Sequence, residues 1–107
     1  MYINLTILKV KPENVQTLTE ILVNEKMHAF YRAISGFQRG YVTESVEEPG
    51  KILNISHWDS AVDAQRTMSD PAYAGLIGDM RKYLIAPPER YGYTLLREFL
   101  EEDLQFK

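Results

Sequence analysis

The stretch Asn54-Ile55-Ser56-His57-Trp58 gathers an amide, a hydroxyl, an imidazole and the chain's single indole. An amide N–H can hold a carbonyl or a developing oxyanion. An indole can wall a pocket for a flat molecule. An imidazole can move a proton near neutral pH. Which groups can act together depends on the backbone beneath them. The segment reads as a strand, and strand side chains alternate between faces. Asn54, Ser56 and Trp58 therefore share one face, while His57 takes the other with Leu53 and Ile55. The same alternation in "YINLTILKV" sets Asn4, Thr6 and Leu8 against Ile3, Leu5 and Ile7. Asn54 is the candidate catalytic group, orienting the substrate or an oxyanion. Trp58, Asn4, Thr6 and Ser56 are the candidate substrate contacts. The plain alternatives are a core Trp58 and a buried, satisfied Asn54 amide. His57 is expected at an interface or strand end, and His28 at a solvent-facing position or pocket rim.

Other chemistries find little support. The chain has no Cys, so disulfides, thiolate nucleophiles and Cys-ligated metals are excluded. Its two His have no H-x-x-x-H spacing, and no metal is expected. Gly36, Gly40 and Gly50 form no dinucleotide or phosphate-loop fingerprint, and no cofactor is expected. The net charge of −3 comes without a basic stripe, which argues against nucleic acid. Apolar runs are far shorter than a membrane span. "MYINLTILKVKPEN" lacks a basic start and a cleavage site, so it is expected to be a strand rather than a targeting segment. A cytoplasmic location is the default.

The elements that must position these groups can be read in order. At 107 residues the chain suits one domain, with a core over 1–99 and an acidic tail over 100–107 that includes Glu101-Glu102-Asp103. A strand over 2–10 leads through "KPEN" into one long helix, roughly 12 to 34, stopped at Ser35-Gly36 with a left-handed glycine. Strands follow over 37–47 and 51–58, joined by "EPGK" as a type II turn. Ser60 caps the next helix, with Asp63 three residues on. Asp70 and Pro71 break and restart it. "APPER" forbids helix, and 90–99 returns as the last strand. The order β-α-β-β-α-β predicts a ferredoxin-like α+β fold, a four-stranded antiparallel sheet with helices on one face and the first and third strands central.

Two helices can cover only one face of such a sheet. If they cover the mixed face, its polar groups need partners or a pocket, because an unpaired buried group costs ~1–3 kcal/mol. The bare aliphatic face would then pack against a second copy in a homodimer. If they cover the aliphatic face, the mixed face is simply solvated. The first arrangement is preferred. Tyr41, Tyr91 and Tyr93 are expected at the interface or in a core, or around an aromatic cavity.

Taken together, this element order, Gly36-Phe37 after the first helix, Trp58-Asp59-Ser60 and Ser69-Asp70-Pro71-x-Tyr73 resemble the antibiotic biosynthesis monooxygenase family of dimeric α+β barrels, over residues 1 to about 99. The family includes cofactor-free oxygenases of aromatic polyketides, haem-degrading enzymes, and quorum-signal and stress-related members. The resemblance aligns Trp58 with the family's Trp and Asn54 with the Asn that quinone-forming members place four residues earlier. Their active-site Tyr and Arg fall near Ala64 and Gly78 and are missing. The first-strand Asn and the helix His of haem degraders fall near Thr6 and Thr67-Met68, and the His other members carry after the break falls at Ala72. Haem degradation is therefore disfavoured. The resemblance implies a cofactor-independent monooxygenase acting with O2 on a small aromatic or quinol-like molecule. The alternative is a non-catalytic ligand-binding or stress-related module on the same fold.

Overall fold

The computed structural model describes residues 1–104. Four strands, β1 (Tyr2–Lys9), β2 (Phe37–Glu44), β3 (Lys51–Trp58) and β4 (Glu89–Thr94), form one antiparallel sheet in the order β2-β3-β1-β4. Helices α1 (Val15–Val23), α2 (Glu25–Ala33), α3 (Ala61–Met68) and α4 (Pro71–Ile77) lie on one face. Three-residue-turn helices at Pro12–Asn14 and Gly78–Tyr83 extend this layer. This is the expected ferredoxin-like plan, with β1 and β3 at the centre.

The expected single helix over 12–34 is two helices. Asn24 is extended (φ −79°, ψ 176°), and its Oδ1 accepts from Met27 N at 2.9 Å. A short polar side chain that can satisfy the backbone locally competes with the helical ladder. The helix restarts one residue later, with Met27, Phe30 and Tyr31 at i, i+3 and i+4 toward the sheet.

Strand ends differ from expectation for equally local reasons. β2 stops at Glu44 rather than 47, because the Ser45 hydroxyl accepts from Glu47 N and Glu48 N and starts the turn. That turn has Gly50 at φ 87°, as a type II turn requires, with Lys51 N bonding Glu48 O at 3.2 Å. β4 stops at Thr94 rather than 99, because its neighbour ends: Thr94 pairs with Tyr2, and Leu95 N takes the last carbonyl, that of Met1. The tail forms a turn of helix at Glu101–Leu104, and its final residues, 105–107, lie outside the described residues.

The mixed face is the covered one. Asn4, Thr6, Leu8 and Val10 of the first strand segment are buried, as are Ile52, Ser56 and Trp58 of β3. One half of this face is aliphatic: Leu8, Val10 and Ile52 pack against Leu18, Leu22 and Met80. The other half holds the polar and aromatic groups. Ile3, Leu5, Ile7, Leu53 and Ile55 lie on the open face, partly exposed.

The break at Asn24 aims α2, so its cap should be measurable. Asn24→Ala should cost about 1 kcal/mol and lower the thermal midpoint by several degrees, since each kcal/mol shifts it by roughly 4–8 °C in a small domain. Calorimetry of both proteins checks this, and an unchanged midpoint would remove Asn24 as the determinant of the break.

Candidate functional site

Between α2 and the β2–β3 half of the covered face lies a cavity of about 460 Å³. Its floor is Gly40, Val42, Asn54 and Ser56, and its helical wall is His28, Tyr31 and Arg32. The register explains the floor: Val42 pairs with Asn54 and Gly40 with Ser56, so all four positions face the helices. Gly40 contributes space, since it presents no side chain beside the Phe37 ring. The wall follows from spacing, because residues 28, 31 and 32 are one helical turn apart.

Only two of the sequence-predicted contacts line this cavity, Asn54 and Ser56. Asn4 and Thr6 are buried elsewhere on the same face and satisfy each other, Asn4 Nδ2 donating to Thr6 Oγ1 at 3.2 Å. Trp58 is 2% exposed and is not among the lining residues. Its Nε1 donates to Ser56 Oγ at 2.9 Å, and its ring meets Phe37 edge-on at 5.3 Å and Tyr31 at 6.3 Å. Tyr31 and Phe37 stack at 4.2 Å and themselves line the cavity. The aromatic wall expected of Trp58 is thus formed by Tyr31 and Phe37, with Trp58 packed behind them. The ring at the end of β3 lies under α2 and meets its aromatic residues before it can reach open space.

Ser56 is engaged by Trp58, and Asn4 by Thr6. Asn54 differs: its side chain has no hydrogen-bond partner among the described residues, and it borders the cavity. Its amide is the one mid-strand polar group on this face left for a ligand or water.

Sequence reading missed Tyr31, Arg32, Phe37 and Gln38 as lining residues. The i, i+3, i+4 spacing of His28, Tyr31 and Arg32 was a usable signal, but it needed the break at Asn24 to be recognised. His28 does stand at the cavity, exposed to solvent. His57 lies on the opposite face, edge-on to Tyr41 at 6.0 Å. Among the described residues no cluster of His and carboxylates could hold a metal ion, and no helix is long and apolar enough to cross a membrane.

Burial and the neighbouring Tyr73 hydroxyl hold the Tyr31 phenol well above its ordinary range. Burial also raises Tyr73, against the opposing pull of the Arg90 guanidinium and the Tyr31 hydroxyl. Tyr31 therefore stays a neutral phenol at any ordinary pH.

Residues 1–76 match the family model described as antibiotic biosynthesis monooxygenase. The chain belongs to this family. Solved structures agree on the fold. The monooxygenase from the gene ActVA-Orf6 of Streptomyces coelicolor, in complex with nanaomycin D, superposes with a TM-score of 0.81 at 19% identity, covering 92% of this chain and 90% of that one. SnoaB, a cofactor-independent oxygenase from Streptomyces nogalater, gives 0.72 at 15% identity over 94% and 97% of the two chains. Rv0793 from Mycobacterium tuberculosis gives 0.72 at 16% over 91% and 96%. A search of the curated proteins returned no match. Tyr31 of α2 supplies the cavity with a phenol.

The raised Tyr31 pKa carries a sign. The unfolded phenol ionises near the ordinary tyrosine value of about 10, whereas the folded one is held well above it. Above about pH 10 the unfolded state binds fewer protons, so stability should fall as pH rises through that value. Tyr31→Phe should make the fall shallower. Urea unfolding between pH 8 and pH 11 on wild type and variant checks this, and parallel curves would contradict it.

Proposed function

We propose that the cavity beside Asn54 binds a small aromatic, quinol-like molecule and that the protein oxygenates it with O2 without a cofactor. The observation that carries the reading is the Asn54 amide, unpartnered within a cavity walled by the stacked Tyr31 and Phe37 rings. Family membership supports it, as do the nanaomycin D held by the Streptomyces coelicolor relative and the cofactor-independent oxygenase from Streptomyces nogalater.

The residues suit the chemistry. The base is His28. Among the lining side chains Arg32 is a permanent cation, Tyr31 is held neutral by burial, Tyr41 is rooted on the open face opposite Ile55, and no carboxylate is present. For an activated ring CH2, His28 removes one proton, and the carbanion, drawn as an enolate, passes one electron to O2. Radical and superoxide recombine, forming a C–O bond, and the peroxide takes the proton back. Removal of the second proton from that carbon breaks the O–O bond, leaves C=O and releases water. The balance is CH2 + O2 → C=O + H2O. Asn54 donates to the enolate oxygen while charge resides there. Trp58 holds the ring wall in place, and Ser56 holds Trp58.

The second part of the reading is a homodimer. The open face bears Ile3, Leu5, Ile7, Leu53 and Ile55, and Leu5, Ile7, Leu53, Tyr91 and Tyr93 line a groove of about 400 Å³ on it. Beyond β4, Leu96 is 92% exposed and Phe99 67%. Apolar surface of this extent is ordinarily covered, and a second copy offers the same aliphatic face for sheet-on-sheet packing. Sedimentation equilibrium at micromolar concentration should give twice the chain mass of 12.4 kDa. A monomer across the range would sink the dimer.

Oxygen uptake with a panel of anthrone- and hydroquinone-like substrates tests the chemistry. Asn54→Ala should lower turnover by about 10²–10³ with little loss of binding, because an oxyanion donor acts mainly in the transition state. His28→Gln should lower it by about 10². Ligand binding is followed by Trp58 emission, which a pocket-bound aromatic absorber quenches by energy transfer across the Tyr31–Phe37 wall. Uptake indifferent to Asn54→Ala would remove that residue from the mechanism. Quenching without uptake would instead favour the non-catalytic binding module.

A further inference from the structure

The charge of the cavity is opposite to that of the chain. The protein carries 15 acidic and 12 basic residues, yet the lining includes Arg32 and no Asp or Glu. Asp59 accepts from a lining residue, Gln38 Nε2 donating to its Oδ1 at 2.7 Å, but does not itself line the cavity. Arg39 and Arg66 reach Glu98 and Asp63. Arg32, like Arg81, Arg90 and Arg97, forms no ion pair among the described residues, and of these four it is the one that lines the cavity beside Asn54. The remaining polar lining is His28, Asn54, Gln38 and the hydroxyl groups, none of them a carboxylate.

We infer that the substrate carries a carboxylate beside its ring system and that Arg32 anchors it. The inference rests on the reading of this cavity as the substrate site and adds a substrate class to it. A guanidinium offers a planar pair of N–H donors that matches a carboxylate. Residues 28 and 32 are one turn apart on α2, about 6 Å along the axis at the usual rise. A carboxylate held by Arg32 at the rim therefore sets the adjoining ring against Tyr31 and Phe37, and directs its inner edge toward His28 and Asn54. Arg32 is exposed, so solvent screens the contact. The effect is a selectivity of about fivefold, the scale of an exposed ion pair, and it depends on salt.

The test compares two probes of one shape, anthraquinone carboxylate and anthraquinone carboxamide, titrated against the full chain by Trp58 fluorescence at low and high ionic strength. Wild type, Arg32→Gln and Arg32→Lys are measured, with circular dichroism to establish that each is folded. The carboxylate should bind wild type about fivefold more tightly than the carboxamide at low salt. The preference, read in each protein as the ratio of the two probes' affinities, should shrink at high salt, vanish in Arg32→Gln and survive in part in Arg32→Lys. Equal binding of the two probes to wild type, or a preference that persists in Arg32→Gln, would overturn the anchor and leave the cavity as a ligand site. Failure of both probes to bind would overturn the anchor and the site together.

Discussion

A sheet has two faces, and one layer of helices covers only one of them. In this protein the layer lies over the face that carries Asn4, Thr6, Asn54, Ser56 and Trp58 as well as Leu8 and Ile52. Burying so many polar groups is costly unless each finds a partner. The structure meets that demand by pairing them in short range. Asn4 bonds Thr6 two residues away, and Ser56 bonds Trp58 two residues away. Such i, i+2 pairs are natural on a strand, where these side chains stand side by side on one face. Asn54 is the group left over, and the cavity is where it is left.

The same arrangement decides what Trp58 does. Its N–H is spent on Ser56, and its ring is packed edge-on against Phe37 and Tyr31. Aromatic pairs in this geometry gain about 0.5–1.5 kcal/mol beyond their buried area. The indole therefore stiffens the two rings that face the cavity. Phe37 comes from β2 and Tyr31 from α2, so one buried Trp ties a strand edge, a helix and the cavity wall together. The Tyr73 hydroxyl of α4, beside that of Tyr31, helps keep the Tyr31 phenol neutral. A ligand lying on this wall would meet surfaces already fixed before it arrives, which lowers the entropy cost of binding.

Much of the fold was legible in the sequence because its signals are local. The left-handed Gly36 and Gly50, the Ser60 and Asp70 caps and the limits of β3 follow from residue types that admit few other conformations. The helix break was missed because Ala29 and Ala33 continue the Leu18–Leu22 spacing in phase, whereas both are exposed and the buried stripe restarts at Met27, five residues after Leu22. β4 was drawn too long because Leu95–Phe99 has strand-like composition, yet a strand needs a neighbour, and β1 offers none beyond its first residues.

The sequence by itself determined which residues share a face, since alternation along a strand is a property of the backbone. It could therefore name Asn54, Ser56 and Trp58 as companions. Only the tertiary structure decided which of them meets open space. That depends on where α2 crosses the sheet and on which side chains fill the gap beneath it. Gly40 leaves the gap on the β2 side, under His28 and Arg32, while Phe37 and Tyr31 close it over Trp58. Contacts of this kind join residues far apart in the chain, and no short stretch of sequence carries their geometry.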